Sequence, residues 1–175
     1  MKMLFVCTGN ICRSPMAERM CAGMSASAGV PIESTSAGVG AMNGDAMHRH
    51  AVDVLTEHGY DASDFGARYI RPPFVQESDV VLCLTREHRA ACQQLVPVRW
   101  KRVFTVVEFA ELVAAAPDAT LDEIVASRNR LDPNDPALDI VDPMGKPRED
   151  FERVYVELEP RIAAIVDWAG RQAAV

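Results

Sequence analysis

Four short strand-like runs, at residues 2–6, 32–36, 80–84 and 102–106, alternate with longer stretches in which apolar residues recur at helical spacing. That alternation constrains the fold more than any other feature of the chain. The runs at 2–6 and 80–84 are almost wholly apolar, as strands buried on both faces must be. Strands separated by helices pair in parallel, with the helices as crossovers that cover the sheet. Helices are expected at 14–28, 46–58, 87–95, 108–116, 121–129 and 149–172. Gly59 ends the second, and Pro160 marks a kink or a break in the last. A loop rich in Pro and Asp spans 132–147. The expected class is α/β, an open parallel sheet with helices on both faces. Ligands of such folds bind at the carboxyl ends of strands, and Cys7 stands at the first of those ends.

The 175 residues suit one domain, expected over 1–175. No run approaches membrane-spanning length, and the opening apolar residues break at Thr8-Gly9-Asn10, too soon for a signal peptide. A cytoplasmic protein is expected, with leaderless export as the alternative. The net charge of −7 argues against nucleic-acid binding, and it means that any bound anion needs a local trap. Five cysteines, at 7, 12, 21, 83 and 92, are odd in number and lack zinc-site spacing. They read as reduced thiols, most of them small buried hydrophobes. His48, His50, His58 and His88 offer no ligand set and read as surface or helix-cap residues. No metal and no cofactor is expected. Met16, Met20 and Met24 recur at helical spacing and read as core.

The chemistry concentrates in Val6-Cys7-Thr8-Gly9-Asn10-Ile11-Cys12-Arg13-Ser14-Pro15. A tight loop between strand and helix turns successive backbone N–H groups inward, and the helix start adds partial positive charge. Gly9 and Asn10 tolerate the left-handed backbone such a loop needs. Ser14 is a good N-cap and Pro15 suits the first helical position. Arg13 supplies a planar fork of donors matched to phosphate oxygens. Cys7, at the base, is then a thiolate nucleophile facing a bound phosphorus.

This segment, continuing through Met16-Ala17-Glu18, resembles the signature of the low-molecular-weight protein tyrosine phosphatases. The likeness extends to Ser36-Ala37-Gly38, the His58-Gly59 helix end, Arg68 and Asp142-Pro143 before a helix opening near Phe151. It implies a four-stranded parallel sheet and a protein-tyrosine-phosphatase acting on a phosphorylated protein. Cys7 would attack phosphorus, and Arg13 with the loop amides of Thr8, Gly9, Asn10, Ile11 and Cys12 would hold the phosphoryl oxygens. Asn10, braced by Ser14 and Ser36, would keep the loop's shape. An Asp-Pro aspartate would protonate the leaving oxygen and then activate water. No nucleic acid and no membrane partner is expected, and the sequence sets no oligomeric state.

Three Asp-Pro pairs compete for that last role, at Asp132, Asp135 and Asp142. Asp142 is the expected acid, because it follows Ile140-Val141 and stands at the right distance before the last helix. Asp139 is an outside candidate. The other two pairs fall in an expected insertion over residues 114–138. The family's usual aromatic residues beside the pocket are replaced by Met42 and Met144, and its bracing His near Arg68 by Asp64-Phe65. A related group that acts on phosphoarginine carries Thr where Ile11 stands. Ile11 favours phosphotyrosine, whereas the non-tyrosine residue after Asp142-Pro143 and the run Ser36-Ala37-Gly38-Val39 resemble the phosphoarginine group. A second alternative, a thioredoxin-coupled arsenate reductase, would need Cys83 and Cys92 as a disulfide relay.

Overall fold

The computed structural model describes residues 1–173. Four strands, β1 (Lys2–Cys7), β2 (Glu33–Gly38), β3 (Val80–Cys83) and β4 (Val103–Thr105), form one sheet in the order β2-β1-β3-β4, with every pairing parallel. Helix α1 (Arg13–Ala28) follows β1, while α2 (Arg49–Glu57) and α3 (Pro72–Glu77) lie between β2 and β3. Helix α4 (Arg86–Leu95) precedes β4, and α5 (Val106–Ala115), α6 (Leu121–Ala126) and α7 (Arg148–Ala173) complete the chain. This is the open four-stranded α/β sheet expected from the sequence. The chain leaves β1 for β2 on one side and returns to β3 on the other. The carboxyl end of β1 is therefore the switch point where such folds bind ligands.

Strand alternation divides the interior in two. Met3, Phe5 and Cys7 face a core built with α1, α2, α5 and α7, whereas Leu4, Val6 and Cys83 face a smaller one closed by α3 and α4. Met16 and Met20 are fully buried in the first core, and Met24 packs at its edge. Helices therefore cover both faces. No described helix is long and apolar enough to cross a membrane.

Several element ends differ from the sequence-based expectation, each for a local reason. Helix α1 begins at Arg13, because the Ser14 side chain turns into the loop instead of capping the helix. Helix α2 begins at Arg49, where the His48 ring accepts the His50 amide as cap. The six-residue α3 carries Pro at its first positions and is too short to show a period. Beyond Ala126 the expected helix gives way to a 3-10 turn at Arg128–Arg130. Helix α7 runs through Pro160 without a break. The ring of Pro160 disturbs the preceding turn, and there the Arg161 side chain donates to the Glu157 carbonyl at 2.5 Å.

The stretch at 114–138 is fastened by one buried carboxylate. Glu108 and Thr105 form a capping box at the start of α5, with bonds of 3.0 and 3.1 Å. The same carboxylate receives Arg89 at 2.9 Å and Arg128 at 2.8 Å, and the Arg128 guanidinium lies 4.3 Å over the Phe104 ring. Glu108→Ala leaves two largely buried guanidinium groups without their anion. It should lower unfolding free energy by about 3–5 kcal/mol in urea titration. Asp118→Ala, which removes the exposed Arg171 pair, should cost under about 1 kcal/mol.

Candidate active site

The loop from Cys7 to Arg13 begins where β1 ends. Asn10 takes the left-handed backbone, with φ of 54°, while Gly9 stays outside that region; of the two residues expected to turn the loop, only Asn10 does so. The Asn10 amide reaches Cys7 Sγ at 3.3 Å, and the Ser14 hydroxyl lies 2.9 Å from the same sulfur. Asn10 Nδ2 donates to Ser14 Oγ at 3.0 Å, which leaves the Ser14 hydrogen to point at Cys7. Two donors thus end on the sulfur, an arrangement that suits a thiolate acceptor. Among the described residues, the amides of Gly9, Ile11 and Cys12 have no backbone or side-chain acceptor. Unpaired amides on one tight turn are available to an anion.

The loop is braced from outside. Asn10 Nδ2 also donates to Ser36 Oγ at 2.7 Å, and its Oδ1 accepts the Arg68 amide at 2.8 Å. Ser36 in turn donates to Glu18, which leaves the Ser36 oxygen to accept from Asn10; the bonds run outward from Asn10 Nδ2, to Glu18 on one side and to Cys7 on the other. The Arg68 guanidinium holds the Ser36 carbonyl at 2.7 Å. Gly38 is required at its position by space: a Cβ there would stand 2.3 Å from the Thr8 carbonyl and 2.8 Å from the Asn10 nitrogen.

Arg13, almost fully buried, donates to Asp142 Oδ2 at 2.5 Å and to the Ile140 carbonyl at 3.0 Å. Ile140 is itself anchored, its amide donating to the Leu84 carbonyl at 2.9 Å beyond the end of β3. The acid loop is thereby carried to the nest. Of the four candidate aspartates, Asp142 alone meets Arg13. Asp132 and Asp135 accept the amides of Asn134 and Ala137, as turn formers do. Asp139 is committed to Arg86 by bonds of 2.9 and 3.1 Å. Partial burial pushes its carboxyl up, but those bonds outweigh it and hold the group below its ordinary value.

The carboxyl ends of β1 and β3 are joined by His88. Its ring nitrogens lie 2.9 Å from the Thr8 and Thr85 hydroxyls, and the residue is buried. This corrects the expectation of a surface or cap histidine, since a neutral imidazole can donate to one hydroxyl and accept from the other. Burial first, then the nearby Arg13 charge, lowers its pKa to about 4 against the opposing pull of Asp142 and Asp139. Burial likewise pushes the Cys12 and Cys21 thiols up to about 12.

The model of a family described as low molecular weight phosphotyrosine protein phosphatase matches residues 2–129. The chain belongs to that family. Low molecular weight protein-tyrosine phosphatase A of Mycobacterium tuberculosis is 31% identical, over 97% of this chain and 92% of its own length. The Wzb phosphatase of Salmonella typhi is 30% identical over 90% and 87%. Among solved structures, the low molecular weight protein tyrosine phosphatase of T. tengcongensis superposes with a TM-score of 0.77 at 32% identity, covering 95% of this chain and 97% of that one. The YwlE arginine phosphatase of Geobacillus stearothermophilus gives 0.73 at 28%, covering 94% and 90%. A mutant of a YwlE arginine phosphatase with a phosphorylated active-site serine gives 0.76 at 25%, covering 95% and 93%.

Within this low molecular weight phosphatase, Met42 and Met144 are both exposed, and Ile11 is half-buried with its carbonyl accepting the His48 amide at 2.8 Å. Cys83 and Cys92 stand 3.8 Å apart, fully buried, but on the sheet face opposite Cys7. The sheet separates them from the nest, which argues against a disulfide relay. Sequence reasoning missed Glu18 and His88. Glu18 lies four residues after Ser14, on the same face of α1, and that spacing was the available signal. His88 gave none, because its partner is 80 positions away.

The His88 pKa has a stability consequence of definite sign. Between its ordinary 6.5 and about 4, the unfolded chain takes up a proton that the folded chain refuses. Stability should therefore fall as pH drops through that window, by up to about 1.4 kcal/mol per pH unit, with no such cost above it. In urea titrations from pH 7 to 4, His88→Asn should give a shallower slope than the parent chain. Parallel slopes would show that His88 is not held neutral.

Proposed function

We propose that this chain hydrolyses phosphotyrosine in protein substrates through a covalent thiophosphate on Cys7, and that it acts in the cytoplasm. The observation that carries the reading is the convergence of the Ser14 hydroxyl and the Asn10 amide on the Cys7 sulfur, in a loop whose Gly9, Ile11 and Cys12 amides have no acceptor among the described residues and which ends at Arg13. Five free, buried cysteines support a reducing compartment.

The phosphoryl group binds the loop amides and the Arg13 guanidinium, whose fork is then shared between phosphate oxygens and its present partners. The Cys7 thiolate attacks phosphorus, forming an S–P bond as the P–O bond to tyrosine breaks. A protonated Asp142 gives its proton to the leaving oxygen. The Asp142 carboxylate then takes a proton from water, whose oxygen attacks phosphorus. The S–P bond breaks, releasing phosphate and the thiolate. Positioning and charge stabilisation supply the acceleration. The contact with Arg13 places Asp142 beside Cys7's loop, and half its side chain is open to solvent, from which protons and water reach it.

Cys7→Ser should abolish turnover while still binding vanadate. Asp142→Ala should slow release of tyrosine by about 10²–10⁴-fold, with a much smaller loss on p-nitrophenyl phosphate, whose leaving group needs little protonation. Stopped assays with both substrates test this. An equal loss on both would remove Asp142 from the acid role.

The likeness to arginine phosphatases gives a second reading, hydrolysis of phosphoarginine. Ile11 weighs against it, because an apolar side chain at the loop leaves guanidino donors of a substrate unpaired, a penalty of roughly 1–3 kcal/mol. On matched peptides, kcat/KM should favour phosphotyrosine, and Ile11→Thr should move the ratio toward phosphoarginine. A parent chain that already prefers phosphoarginine would overturn the assignment of specificity to Ile11.

A further inference from the structure

The register of the sheet sets three residues side by side at the nest. Cys7 pairs with Gly38, and Gly38 forms an isolated parallel bridge with Tyr69. At about 4.8 Å per step, the Tyr69 backbone stands about 10 Å from that of Cys7. Neighbours in such a row project from the same face. The residues flanking Tyr69 agree, since Ile70 packs in the core of the far face and the Arg68 guanidinium lies 4.9 Å over Phe74, which borders that core. Tyr69 therefore projects on the Cys7 side, and it is 49% exposed. Its amide donates to Asn43 Oδ1 at 2.7 Å. Two further backbone bonds, Gly44 to Ala67 and Ala67 to Asp45, fasten that loop along the Tyr69 segment. The loop carries Met42, 71% exposed. Across the nest, Val141 and Met144 flank Asp142-Pro143 and are exposed too. Of the eight large apolar side chains exposed among the described residues, four thus stand in the segments that border the site.

We propose that Tyr69 and Met42 form an apolar subsite for a hydrophobic side chain about three residues from the phosphotyrosine of the substrate. The proposal rests on the reading of Cys7 as the nucleophile toward phosphotyrosine. Ten ångströms is too far for contact with a ring held directly over Cys7. It matches the reach of a residue about three positions along the substrate, since an extended peptide advances about 3.3–3.6 Å per residue. Scattered exposed apolar residues are ordinary on a protein surface. These two differ in that the segments carrying them are bonded to one another, and the Tyr69 segment is bonded to Gly38 beside Cys7.

The test uses pairs of phosphotyrosine peptides that differ only in carrying leucine or alanine at the third residue before or the third residue after the phosphotyrosine, with p-nitrophenyl phosphate as a further substrate. The parent chain should prefer the leucine peptide of one pair by about five- to tenfold in kcat/KM, the scale expected from burying part of one aliphatic side chain. Tyr69→Ala should bring that ratio close to one, and Tyr69→Phe should keep it. Because the ratio is taken within each protein, partial loss of folded enzyme does not disturb it. A ratio retained in Tyr69→Ala overturns the subsite. Turnover of p-nitrophenyl phosphate with equal or no turnover of the peptides within both pairs overturns the subsite alone. Failure to turn over any of these substrates overturns the phosphatase reading and the subsite with it.

Discussion

The Asn10 carboxamide donates to Ser14 and Ser36 and accepts from the Arg68 amide, while the same residue's backbone N–H reaches the Cys7 sulfur. A non-glycine residue with φ of 54° is held at a cost of order 1–3 kcal/mol, and these bonds offset it. They also come from different places: the start of α1, β2, and the segment that runs beside β2. The loop's shape is thus decided by the sheet and its first helix rather than by the loop itself. Gly38 belongs to the same constraint, since only a residue without a side chain lets β2 approach the turn.

From that fixed turn the rest of the site follows. Ser14 gives up the capping position that its residue type favours and spends its hydroxyl on the Cys7 sulfur. Glu18 takes the Ser36 hydrogen and so leaves the Ser36 oxygen to accept from Asn10. His88 fastens the outer side of the turn to the end of β3. Each of these groups orients a neighbour, so the groups that hold the loop outnumber those that meet the Cys7 sulfur.

The strands, the parallel sheet and the nest were legible in the sequence because they depend on local signals: short apolar runs, a Gly-Asn turn, and Cys and Arg at fixed spacing. That Asp142, among the four aspartates, stands beside Arg13 was legible through its distance from the last helix. Gly9 was credited with a backbone conformation that Asn10 alone adopts, since both residue types permit it and only the fold chooses. Buried polar pairings were not legible. The Glu108 clamp joins residues about 20 positions apart on either side, and His88 meets Thr8 across the sheet. No period or motif encodes such pairs. The six-residue α3 was hidden because it is shorter than two helical turns.

The anchoring of Ile140 has a bearing on how such a chain can change over time. The hydrogen bond to the Leu84 carbonyl and the buried Ile140 side chain reset the path of the backbone two residues before Asp142. Whatever precedes that point, Asp142 arrives at the same place. The cost of closing a loop grows only slowly with its length, so the exposed turns of the stretch between α5 and Ile140, outside the buried Ile124 and the Arg128 clamp, can gain or lose residues while Asp142 and Arg13 keep their spacing. Length variation is absorbed upstream of a fixed mooring, and the Asp142 side of the loop inherits none of it.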